Sequence, residues 1–204
     1  TERLRLGTCV TCPIMRYHPA IVAQAAATAA AMMPGRFFFG VGTGEYLNEH
    51  IVGAHWPTAS VRRDMLKEAV ALIRLLWRGD LVNYHGKYYT VEYARVYTLP
   101  DVPPPIMVAA GGPKAAELAG RIGDGLISLA PDPQLIRTFA NAGGAGKPCF
   151  GQITVCWAPT ESEARRTARE WWPTAAIGGA PGFELRRPEY FEQIARLVGE
   201  DDVA

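Results

Sequence analysis

Short apolar runs bounded by Gly and Pro alternate with longer helical stretches along this 204-residue chain, and that alternation restricts the fold more than any single motif does. Residues 4–10 form a β-like run. Pro19 and Ala20 open an Ala-rich helical stretch that Pro34 and Gly35 end, as Pro and Gly beyond a helix should. Residues 36–41, Arg-Phe-Phe-Phe-Gly-Val, are too few for a helix and suit a strand buried on both faces. From Val61 to Trp77, Met65, Leu66, Ala69, Val70, Leu72, Ile73 and Leu76 recur at helical spacing among Arg62, Arg63, Lys67, Glu68 and Arg74, and Gly79 stops the run. Residues 84–91 read as an inserted hairpin with its turn at Gly86. Three further strand and helix pairs are predicted at 105–110 with 114–121, 125–129 with 133–140, and 150–158 with 161–172. A last helix is expected near 188–198. Repeated βα units make a parallel sheet by right-handed crossovers, either doubly wound or closed into a barrel, and periodicity does not separate the two.

Composition narrows the partners. Lys and Arg total 21 against 20 Asp and Glu, so no net field exists to attract nucleic acid or an anionic membrane. No apolar run reaches the roughly 18 to 20 residues of a membrane span. Four cysteines without a dense framework fit free thiols in a cytoplasmic protein. Thr1 is not an initiator Met and the chain stops at Ala204 straight after a helical segment, so a fragment is expected. Residues 177–182 shift to Gly, Ala and Pro, the composition of a flexible insertion.

Ligands of parallel α/β folds gather at the carboxyl ends of strands, where following helices present free N–H groups. Three such ends carry chemistry: Thr8-Cys9-Val10-Thr11-Cys12-Pro13, Gly42-Thr43-Gly44-Glu45-Tyr46-Leu47-Asn48 and Ala109-Ala110-Gly111-Gly112-Pro113-Lys114. Glu45 follows a glycine turn with Asn48 three residues on, able to share its face. It is either a proton donor and acceptor or an acid that caps or flanks the next helix. Gly111 and Gly112 expose backbone amides as a phosphate cradle would, or serve tight turn geometry alone. Cys9 and Cys12 have the spacing of a dithiol or half a zinc site, but Pro13 and a polar stretch separate them from the helix. Cys149 and Cys156 have the wrong spacing for a second metal pair, so buried small hydrophobes are expected. His18, His50, His55 and His85 show no metal spacing. Tyr88, Tyr89, Tyr93 and Tyr97 fit a hairpin packed on a core rather than base stacking, and Trp171 and Trp172 a helix end buried against the core.

Gly7-Thr8-Cys9-Val10, residues 39–49 around Gly44-Glu45, Ala109-Ala110-Gly111-Gly112-Pro113 and residues 119–125 (Ala-Gly-Arg-Ile-Gly-Asp-Gly) together resemble the coenzyme F420-dependent, glucose-6-phosphate dehydrogenase-like group of luciferase-like oxidoreductases, in order and spacing across essentially the whole chain. The resemblance implies an incomplete (β/α)8 TIM barrel of parallel strands with a small β-hairpin insertion. Residues 1–204 would hold about the middle five strands and lack the first two and the last. It implies hydride transfer between a small organic substrate and F420, with Glu45 as the proton donor facing the deazaflavin. Cofactor contacts are implied for Cys9, Val10, Cys12, Gly44, Glu45, Asn48, Ala110, Gly111, Gly112 and Pro113, no metal is expected, and Cys9-Val10 would be a non-proline cis peptide. The family's catalytic His lies on the second strand, absent here. Sugar-phosphate members place Thr and Lys where Leu129 and Asp132 stand, and an acid repels phosphate, so an uncharged alcohol or carbonyl substrate is expected. The alternatives are an FMN-dependent monooxygenase of the same superfamily and a non-catalytic deazaflavin-binding protein. A homodimer is expected of the full-length protein.

Overall fold

The computed structural model describes residues 2–129, 131–177, 181–199 and 201–202. In chain order the elements are β1 (Leu6–Gly7), α1 (Pro19–Met32), β2 (Phe37–Val41), α2 (Tyr46–Glu49), α3 (Ala59–Leu76), β3 (Val82–His85), β4 (Thr90–Ala94), β5 (Ile106–Ala109), α4 (Pro113–Ile122), β6 (Gly125–Ser128), α5 (Pro133–Phe139), β7 (Cys149–Gly151), α6 (Glu161–Trp171), α7 (Pro181–Glu184) and α8 (Pro188–Ala195). They divide into two compact units, residues 1–43 with 57–152, and residues 44–56 with 153–204.

The first unit is a five-stranded sheet in the order β1-β2-β5-β6-β7, with every neighbouring pair parallel. Successive strands always add to the same edge, so the sheet is singly wound. A doubly wound sheet would reverse direction at a switch point. The sheet also curls. The Phe38 and Phe150 rings, from strands β2 and β7, lie 5.2 Å apart, and a Cβ at Gly40 on β2 would stand 2.9 Å from Ile127 Cδ1 on β6. The fold is α/β with the curved parallel sheet of a half-barrel, which settles the choice that periodicity left open.

Its core follows from the apolar pattern. Phe39, Val41, Ile106, Met107 and Leu126 are buried in the sheet, and truncating a side chain such as Phe39 to Ala would cost about 3–5 kcal/mol. α1 presents Val22, Ala23, Ala26, Ala27 and Ala30 inward, and the small residues let α3 approach closely with Leu66, Ala69, Val70, Ile73 and Leu76. Trp77 Nε1 donates to the Ala23 carbonyl at 2.9 Å, locking the end of α3 to α1. At the amino end of the sheet the Asp124 carboxylate accepts from Ile106 N at 2.8 Å and pairs with Arg74 at 2.8 Å, joining β5, β6 and α3. The hairpin β3-β4 is longer than predicted, and the four tyrosines assigned to it from the sequence divide. Tyr89 is buried and Tyr88 packs on the core, whereas Tyr93 and Tyr97 are exposed.

Two predicted strands are shorter than expected. The first pairs only over Leu6 and Gly7, because the chain then leaves the ladder and rejoins β2 at Thr11. The last stops at Gly151, since β6 ends at Ser128 and no strand among the described residues pairs with 153–158, leaving Ile153, Val155 and Trp157 exposed. Residues 178–180 of the predicted insertion lie outside the described residues.

In the second unit, Tyr46 of α2 stacks on Trp56 with centroids 5.1 Å apart, and Trp56 Nε1 donates to Glu184 Oε2 at 2.6 Å, so α2 is held to α7. α6 opens with a reciprocal capping box between Thr160 and Glu163. Trp171 and Trp172 are exposed, contrary to the buried helix end predicted. Their rings sit 6.4 Å apart, against each other.

His18 makes α1 sensitive to acid. Its Nδ1 accepts from Ala20 N at 3.2 Å as the N-cap, which requires the neutral ring, and burial lowers its pKa. A folded value below the unfolded one, near 6.5, contributes stability that is present above about pH 6.5 and lost as pH falls through the folded value. His18→Asn retains a capping acceptor without titrating. Melting curves recorded between about pH 7.5 and 5 should therefore show a steeper decline for the native protein than for His18→Asn. Parallel declines would assign the acid sensitivity to other groups.

Candidate functional site

The carboxyl edge of the curved sheet is built around the excursion at residues 8–11. Between the pairs Gly7 with Phe38 and Thr11 with Val41, four steps along one strand face three along the other, so one residue is extra and the chain bulges. Thr8 Oγ1 donates to the Gly40 carbonyl at 2.7 Å, Thr11 N donates to the same oxygen at 2.8 Å, and Gly42 N donates to Thr11 O at 3.0 Å. A Cβ at Gly40 would run into the Thr8 carbonyl oxygen, so this approach needs glycine. The Cys9-Val10 peptide at the crest is cis, as the resemblance implied. Cys9 is exposed rather than a buried hydrophobe, its Sγ 3.9 Å from Gln152 Oε1 beyond β7, whereas Cys12 is buried. A Cβ on Gly42 would lie 2.8 Å from Val10 Cγ2 and 3.6 Å from Ala109 Cβ, so the bulge and the ends of β2 and β5 converge.

Beyond β5, Ala110 is buried and its N–H donates to Ile127 O at 2.9 Å, while Gly111 is exposed. Gly112 is the N-cap of α4 and Pro113 its first residue; among the described residues no side chain caps this helix. A Cβ at Gly112 would meet nothing within 4 Å, so the positive end of a ten-residue helix is openly approachable, the arrangement that accepts an anion. The next helix is the opposite case. Asp132 caps α5, accepting from Gln134 N at 2.8 Å and Leu135 N at 3.3 Å, so a carboxylate already occupies those amides, and Leu129 nearby in sequence is exposed.

Glu45 and Asn48 belong to the second unit. Gly44, at φ +74, turns the chain after Thr43. Glu45 occupies the N-cap position of α2, yet its side chain makes no capping bond. The carboxylate is exposed and its Oε2 instead accepts from Asn48 Nδ2 at 3.1 Å. The side chain thus makes no capping bond, and Asn48, expected from its spacing to share the face of Glu45, donates to it. An exposed carboxylate held by a neutral amide can exchange a proton with a ligand.

Sequence reasoning missed Thr8, Trp56 and Glu184, whose roles depend on partners 32 and 128 residues away and leave no local signal. His50 turns its Nδ1 to the Tyr46 carbonyl at 3.1 Å, a local structural contact. Among the described residues, no group of three or more His, Cys, Asp or Glu gathers as a metal site, and no helix is long and apolar enough to cross a membrane.

The chain is 42% identical over 183 residues to the F420-dependent glucose-6-phosphate dehydrogenase of Beutenbergia cavernae, covering 84% of this chain and 54% of that protein. It is 42% identical over 207 positions to the F420-dependent hydroxymycolic acid dehydrogenase of Mycobacterium tuberculosis, covering 97% of this chain and 58% of that protein. The chain thus spans somewhat more than half the length of these relatives. Among solved structures, an F420-dependent secondary alcohol dehydrogenase in complex with an F420-acetone adduct superposes with a TM-score of 0.85 at 37% identity, covering 98% of this chain and 64% of that one. The family model for luciferase-like monooxygenases matches residues 1–203, and the chain belongs to that family.

Proposed function

We propose that the protein is a coenzyme F420-dependent oxidoreductase that transfers hydride between an uncharged small alcohol or carbonyl substrate and the deazaflavin, with Glu45 carrying the accompanying proton. The observation that carries this reading is the Glu45 carboxylate, released from its helix and held by Asn48 instead. The F420-dependent relatives support it. In this reading residues 1–204 are part of one barrel domain of a homodimeric, cytoplasmic protein, and the catalytic His of the family lies on a strand outside them.

The residues present fit the cofactor. The uncapped start of α4, with its open approach at Gly112, suits a phosphate, which the backbone of Gly111 and Gly112 would hold beside Ala110 and Pro113. The bulge at Cys9 and Val10, followed by the buried Cys12, would offer a fixed surface for the ring. In the second unit, the F420 reading assigns polar contacts with the cofactor to Gly44, Glu45 and Asn48. When bound, the deazaflavin supplies the two-electron chemistry, while the protein supplies orientation and electrostatics. Asn48 holds one carboxylate oxygen of Glu45 through its amide, leaving the other to give or take the proton. Thr8 and Thr11 tie the bulge to β2 and would keep it fixed when the cofactor binds.

Asp132 supports the choice of an uncharged substrate. Its carboxylate occupies the first amides of α5, where a substrate phosphate would otherwise find donors, and it would repel that phosphate. Incubated with F420, the complete protein should reduce it with a simple secondary alcohol and not with glucose 6-phosphate. Comparable turnover on the sugar phosphate would overturn the substrate assignment, and tight FMN binding with oxygen uptake would overturn the cofactor assignment.

Glu45→Gln in the complete protein keeps size and hydrogen bonding but cannot release a proton. Turnover should fall about a hundredfold or more, with F420 affinity little changed. Lost cofactor binding with unchanged turnover at saturation would make Glu45 a binding residue instead.

A further inference from the structure

The β3-β4 hairpin contributes none of the residues assigned to the cofactor, yet a single side chain from α3 anchors its turn. Glu68 on α3 accepts from three consecutive amides: Lys87 N at 3.2 Å, Tyr88 N at 3.0 Å and Tyr89 N at 2.9 Å. One carboxylate therefore fixes both the position and the direction of the turn. From that turn Tyr89 reaches into the core, where it is 6% exposed, and its hydroxyl donates to the Ile14 carbonyl at 2.9 Å. Its ring also meets His18, the cap of α1, edge to face at 5.6 Å. Burial, then the neighbouring Cys12 and Glu68, push the phenol pKa up, so the group remains an O–H donor.

Ile14 lies two residues beyond Cys12, on the segment that runs from the bulge into α1. The entry side of that segment is tied to β2 by Thr8 and Thr11. Its exit side, Cys12-Pro13-Ile14, is buried and receives the Tyr89 hydroxyl. A loop fixed at both ends has fewer conformations to lose when it receives a ligand.

We propose that the hairpin is a brace for the cofactor loop: Tyr89, held by Glu68 through the turn amides, is a positioning residue that sets residues 8–14 in the form that binds the deazaflavin. The proposal rests on the F420 reading for its ligand, but the bracing itself has a cofactor-free readout. Tyr89→Phe removes one hydroxyl from a buried ring and leaves the Ile14 carbonyl without that donor. Glu68→Gln keeps the side-chain volume but loses an oxygen acceptor at the turn, and should act in the same direction.

Two measurements on the complete protein test this. First, alkylation of Cys12, which is buried, is followed by peptide mass spectrometry without cofactor, with the exposed Cys149 as internal reference. In Tyr89→Phe the Cys12 rate should rise roughly three- to tenfold relative to Cys149, reflecting local opening of the loop. Second, F420 affinity is titrated by fluorescence. Its Kd should rise by a similar factor of about three to ten, exceeding any change in kcat at saturation. If the native protein binds no F420, the cofactor reading fails, and the labelling arm still decides whether Tyr89 holds the loop. Unchanged Cys12 protection in both variants overturns the brace, as does a lower Tm with Cys12 labelling and F420 affinity both unaltered, which would reduce Tyr89 to a stabilising contact.

Discussion

The whole carboxyl edge depends on how closely residues 8–11 approach β2 at Gly40. The Gly40 carbonyl receives both the Thr8 hydroxyl and the Thr11 amide, and only a residue without a side chain leaves room for the Thr8 backbone above it. Once that contact is made, the extra residue in the first strand must stand out of the ladder, which raises Cys9 and Val10 beside Gly42 and Ala109. The crest of the bulge is thus a consequence of backbone pairing, the Thr8 hydroxyl and the absence of a side chain at Gly40.

The glycine-rich motifs at the two ends of the sheet make different contacts. The Gly-Asp-Gly motif at 123–125 lies at the amino end, where Asp124 ties β5 to β6 and Arg74, and Lys147 Nζ donates to Gly120 O and Gly123 O at 3.0 and 2.8 Å. Those residues hold the fold. At the carboxyl end the same kind of glycine-rich turn, Gly111-Gly112, is left open at the start of a helix. Parallel barrels separate stability and chemistry in this way because only one edge carries the helix N-termini.

Helix starts are also where the two acids take different roles. Asp132 turns its carboxylate onto the amides of its own helix, satisfying donors that would otherwise be free for an anion. Glu45 stands at the equivalent position of α2 and does not, its longer side chain being held by Asn48. A short acid at an N-cap reaches the backbone readily; one more methylene lets the carboxylate leave it. The difference separates a carboxylate bonded to the amides of its own helix from one bonded to a neighbouring side chain.

The βα rhythm, the buried strand 37–41, the amphipathic α3 and the glycine turns at 42–45 and 111–113 were legible in the sequence, because each follows from local periodicity or from backbone freedom at glycine. So was the spacing that puts Asn48 on the face of Glu45, one helical turn on. Local patterns could not decide whether the sheet was doubly wound or barrel-like, since strand order is set by contacts among residues far apart in the chain. Nor could they reveal that the first strand breaks at Thr8, that Cys9 is exposed, or that Trp171 and Trp172 are exposed. A strand continues only where a partner exists to take its hydrogen bonds, and a side chain is buried only where something covers it. Both conditions are met or missed in three dimensions, so the sequence determined which segments become strand, helix and turn, and the tertiary structure alone decided where the ladder stops and which side chains are covered.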